Sequence, residues 1–94
     1  MTKEDEAFIF RLLDEYSRRH YKWFVTELFL DPKQPEYLVC FRPVQGGKES
    51  PNRYECVYLA ISTPEAESGV RHGALSEALI RDMDDKLQPL GRLT

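Results

Sequence analysis

The order in which hydrophobic patterns succeed one another does most to limit what this chain can fold into. A stretch with helical spacing comes first, three runs of strand composition follow, and a second helical stretch lies near the end. Phe8, Ile9, Leu12, Leu13 and Tyr16 recur every three or four residues, which places them on one helical face. Thr2 stands where an N-cap belongs, with Asp5 three residues on and Glu4 and Glu6 near the positive end of the helix dipole. Arg18 and Arg19 complement the opposite end. These signals predict a helix over 3–20.

The runs 23–30, 36–42 and 54–61 are rich in aromatic and β-branched residues, the composition of strands. Asp31 and the two prolines at 32 and 35 supply a turn between the first two, and Pro43, which cannot donate to a ladder, is expected to end the second. The nine polar residues 45–53 exceed an ordinary hairpin loop and are either an insertion or a recognition element. Thr63, Pro64 and Glu65 read as a capped helix start that Gly69 and Gly73 interrupt, so a single turn over 64–67 is expected. A main helix is predicted over 73–88, with Leu75, Ala78, Leu79, Met83 and Leu87 inward and Pro89 and Gly91 stopping it. Short connections favour neighbouring strands. The expectation is an α+β fold of α-β-β-β-α order, a three-stranded antiparallel meander with two helices packed on one face, in a single domain over 1–94.

Composition narrows the class further. Hydrophobic residues make up 41% of the 94 residues and charged ones 31%, which is globular rather than disordered. The net charge of −3 means that a nucleic-acid binder would need a segregated basic patch. No apolar run approaches the roughly 20 residues of a bilayer span, and the acidic start 1–6 does not read as a signal peptide. Cys40 and Cys56, with only His20 and His72 beside them, lack paired zinc-ligand spacing. Two reduced thiols in a cytoplasmic protein, with no metal or cofactor, are expected.

Alternation along a strand divides each run into two faces. Symmetric hairpins would put Val25, Phe29, Tyr37, Val39, Phe41, Val57, Leu59 and Ile61 under the helices. Phe24, Thr26, Leu28, Leu38, Cys40, Arg42, Tyr54, Cys56 and Tyr58 would form the outer face. That face is unusually apolar, and contiguous apolar surface marks interaction sites. It is covered either by a partner or by the chain's own termini or its 45–53 loop. A protein–protein interaction module follows, whether homodimer, adaptor or inhibitor, with Phe24, Tyr54 and Tyr58 as anchors and Arg42 as a polar clamp.

Two other classes compete. Arg18, Arg19, Lys22 and Trp23, joined by Lys48 and Arg53 of the long loop, combine cations for phosphates with an aromatic that could stack on bases. Against that, the arginines also suit a helix terminus and Trp23 suits a core. A small enzyme or ligand-binding protein would need a pocket holding His20, His72 or the strand carboxylates Glu27 and Glu55. Gly46, Gly47, Lys48 and Ser50 lack the spacing of a phosphate loop and lie between strands.

The α-β-β-β-α order resembles the double-stranded RNA-binding domain over most of the chain. That resemblance implies a lysine-rich start to the last helix, whereas residues 73–78 read Gly-Ala-Leu-Ser-Glu-Ala and Asp82, Asp84 and Asp85 follow. It carries the topology and not the phosphate grip.

Overall fold

The computed structural model describes residues 1–31, 33–45, 48–49 and 56–91. Helix α1 covers Lys3–Tyr21, strand β1 Trp23–Leu30, β2 Glu36–Gln45, β3 Lys48–Glu49 and β4 Val57–Ser62. Helices α2, Thr63–His72, and α3, Glu77–Gly91, complete the order. The sheet is antiparallel with β2 central, β1 on one side and β4 on the other, and β3 adds two residues at the far end of β2. All three helices pack on one face of it. Ile9 and Leu13 of α1, Ala66 of α2 and Leu79, Met83 and Leu87 of α3 share one core with Val25, Tyr37, Val39, Phe41, Leu59 and Ile61 of the sheet. No helix among the described residues is long and apolar enough to cross a membrane.

Helix α1 begins at a reciprocal capping box. Thr2 Oγ1 accepts the Asp5 amide at 3.0 Å, and the Asp5 carboxylate accepts the Thr2 amide at 3.3 Å. It ends where Lys22 turns left-handed at φ 55°. Strand β2 runs straight through Pro43, contrary to the expected stop. Pro43 sits between the last β2–β4 pair, Phe41 with Val57, and the first β2–β3 pair, Val44 with Glu49. In that gap a missing N–H costs the sheet nothing on that side.

The region after β4 departs most from expectation. Ser62 rather than Thr63 caps α2, its Oγ accepting the Glu65 amide at 3.3 Å, and α2 continues for ten residues instead of one turn. Gly69 does not break it. A Cβ built there would lie 2.8 Å from Cδ1 of the fully buried Ile9, so this glycine lets α2 approach α1 closely. Gly73, at φ 67°, is the true left-handed cap. Helix α3 starts at Glu77, four residues later than predicted, because Ser76 caps it, accepting the Leu79 amide at 3.1 Å. Ala78 is consequently exposed rather than inward, Leu75 packs from the connecting turn, and α3 continues past Pro89 to Gly91.

The close approach at Gly69 is measurable. Gly69→Ala should gain about 1 kcal/mol of helix propensity but lose more to overpacking against Ile9, for a net destabilisation of about 1 kcal/mol. In an Ile9→Val background, which removes Cδ1, the same substitution should become neutral or stabilising. Urea denaturation of the four proteins would show this coupling. Additive effects would refute the contact.

Candidate interaction surface

One irregularity decides which side chains reach each face of the sheet. In β1, Val25 pairs with Phe41, but the next paired residue is Glu27, opposite Cys40, so Thr26 is an extra residue. Such a bulge inverts the alternation beyond it. Leu28 therefore lies opposite Val39 on the core side and Phe29 opposite Leu38 on the outer side, the reverse of the expected assignment. Leu28 packs against the core, while Phe29 is 41% exposed. The other predicted inward strand residues keep their places. Two contacts secure the bulge. Asp14 of α1 accepts the Val25 amide at 2.8 Å, and Thr26 Oγ1 donates to the Cys40 carbonyl at 3.3 Å.

The outer face is thus built of cross-strand rows. Phe29, Leu38 and Ala60 form one, Glu27, Cys40 and Tyr58 the next, and Phe24 with Arg42 a third. Its open part consists of Phe29, Ala60, the 53%-exposed Tyr58 and the exposed Glu27, around half-buried Leu38. Cys40 is buried beside Tyr58, Cys56 half-buried, and both are free thiols. They hold the Tyr58 hydroxyl above the usual phenol range, first through charge on Cys40 and a hydrogen bond to it, then through Cys56.

Of the predicted anchors, Tyr58 stands open on this face and Arg42 is half-buried beside it. Phe24 does not serve as an open anchor. It is 4% exposed, with the Arg18 guanidinium 5.3 Å from its ring centre. Tyr54 lies outside the described residues, as do Arg53, Glu55 and most of the 45–53 loop named above as a cover for this face. Phe29 was expected under the helices, while Leu38, expected on the outer face and found there, and Ala60 had been given no contact role. The adjacent polar pair Thr26–Glu27 inside an apolar strand is the signal that marks the bulge.

The basic segment is dispersed by the fold. Trp23 is 3% exposed and joins the core, with no hydrogen-bond partner for its Nε1 among the described residues, so it offers no stacking surface. Arg18 is tied to Asp14 at 2.9 Å. Arg19 and Lys22 are exposed, and Lys48 lies in β3 opposite Gln45. Among these, the described residues bring no stacking aromatic together with the cations.

His20 does line a groove of about 260 Å³ between α1 and the α2–α3 turn, with Leu12, Glu15, Tyr16 and Leu75. Its ring lies 4.3 Å from that of Tyr16. The residues lining this groove include no serine, threonine or cysteine to act as a nucleophile. His72 Nδ1 is 2.9 Å from the Ser68 carbonyl oxygen on α2, and Glu27 is exposed on β1. Among the described residues no group of three or more His, Cys, Asp or Glu is placed to hold a metal ion. No protein-family model, curated protein or solved structure matches the chain.

Phenol–carboxylate contacts hold the helices on the inner side of the sheet. Tyr16 donates to Asp84 Oδ1 at 3.0 Å, and Tyr21 donates to the same oxygen, joining α1 to α3. Tyr37 donates to Glu6 Oε2 at 2.8 Å, joining β2 to α1. Burial, then the Glu6 hydrogen bond and charge, push the Tyr37 hydroxyl up to about 12. Its unfolded value is about 10, so between those limits the native state holds the extra proton. The contribution is complete below pH 10 and is lost as pH rises through 12. Tyr37→Phe should therefore flatten the alkaline loss of stability by an amount on the order of 2 kcal/mol across that window. Denaturation midpoints measured from pH 8 to 12 (roughly, the range bracketing both values) would show it; parallel curves would refute it.

Proposed function

We propose that this chain is a small cytoplasmic protein–protein interaction module that acts by burying the outer face of its sheet, as a homodimer or as an adaptor or inhibitor of a larger partner. The observation supporting this reading is the exposure of Phe29, Ala60 and Tyr58 around Leu38 while all three helices lie on the other face. Tyr58 and Phe29 are rigid aromatic side chains with few torsions to immobilise, which makes them efficient anchors. Arg42, opposite Phe24 and two residues along β2 from Cys40, which pairs with Tyr58, can take a carboxylate or carbonyl from the partner. The protein performs no chemistry in this reading. Reducing surroundings keep Cys40 and Cys56 as thiols beneath the docked partner.

Tyr58→Glu places a charge on the β4 side of the patch and should abolish the contact while sparing the core. Light scattering after gel filtration, together with capture from native extract, tests this. Either the wild type has a dimeric mass and the variant is monomeric, or a protein held by the wild type is lost by the variant. A monomeric wild type whose captured proteins are unchanged by the substitution would eliminate the proposal.

A further inference from the structure

The two edges of the sheet differ in how they are closed. On β1, a bulge at Thr26 and the Asp14 carboxylate on the Val25 amide disrupt the edge, devices that discourage another strand from pairing. Among the described residues strand β4 shows no such device. Among the described residues it pairs with β2 alone, over six residues without a bulge, so its outer edge presents unpaired backbone groups. That edge is also the floor of a groove of about 690 Å³. Leu38 and Tyr58 flank it on the outer-face side, and Asp82, Asp85 and Lys86 of α3 form the other wall.

We propose that this groove takes an extended peptide segment of a partner, added as a further strand on β4 and carrying basic side chains at alternate positions. The proposal rests on reading this side of the molecule as a docking surface and names what docks. An open edge beside a helix is the geometry in which peptides bind by strand addition, with main-chain bonds giving affinity and side-chain contacts giving selection. Asp82 and Asp85 are three apart on one helix and so lie about 5–6 Å from each other. Alternate side chains of a strand recur at about 6.8 Å on one side, so consecutive inward cations can each meet a carboxylate. The intervening side chains turn outward or lie on Leu38 and Tyr58. A second copy of this chain is the poorer occupant, because β4 itself, Val57–Ser62, carries no cation to offer the two aspartates.

The test selects peptides from a phage-displayed library of random linear sequences on the whole protein. Enriched peptides should carry Lys or Arg at alternate positions and bind about tenfold or more weakly to the double charge reversal Asp82→Lys/Asp85→Lys, as the loss of two charge-assisted contacts implies. Both residues are exposed, so folding is spared. Bound peptide should shift and protect backbone amides of β4, and N-methylation at alternate peptide positions should abolish binding in one phase and not in the other. Peptides insensitive to the charge reversal that shift only Phe29 and Leu38 would overturn the edge and keep the face as the docking site. No enrichment, with Tyr58→Glu still changing mass or partner, has the same meaning. No enrichment with Tyr58→Glu silent would remove both readings.

Discussion

The extra residue at Thr26 is the constraint from which the surface of this protein follows. A strand shows its side chains alternately, so one inserted residue exchanges the two faces for everything after it. Leu28 thereby becomes part of the core and Phe29 becomes part of the outside. The bulge is held from both sides, by Asp14 from the helix and by the Thr26 hydroxyl from within the strand. The helical layer and the shape of the outer sheet are consequently one problem. A change in how α1 presents Asp14 would be felt on the outer face, at Phe29 and beyond the reach of Arg18, the α1 side chain that lies over Phe24.

Crowding three helices onto one side of a narrow sheet has its own requirements. Backbones must come close, and Gly69 permits that where α2 meets Ile9. Polar groups at the seams must be satisfied, and the phenols of Tyr16, Tyr21 and Tyr37 do this by donating to carboxylates of neighbouring elements. The result is a two-layer molecule with an unequal distribution of cover. The helical side holds the shared core, the β1 edge is blunted, and among the described residues the outer rows and the β4 edge carry open surface.

Periodic, local patterns were readable in the chain before its fold was known. The first helix, its Thr2 cap, the three strands and their antiparallel order all rest on spacing and turn chemistry, and the structure has them. The inward set was also legible wherever strands were regular, as in Tyr37, Val39, Phe41, Leu59 and Ile61. What escaped depended on contacts distant in sequence. Gly69 looks like an interruption until Ile9, sixty residues earlier in the order of this chain, is seen to pack on it. Phe24 and Trp23 look like available aromatics until the fold buries both. Asp82 and Asp85 read as a plain solvated helix face, and only the position of α3 beside β4 turns them into a wall.

Trp23 carries a practical consequence. It is the single tryptophan of the chain and lies within the core, on the opposite side of the sheet from Tyr58 and Phe29. Its intrinsic fluorescence therefore monitors the integrity of the interior and is shielded from whatever settles on the exterior rows. A ligand that leaves the emission unaltered has left the packing beneath the β-layer intact, and one that displaces it has deformed the scaffold itself.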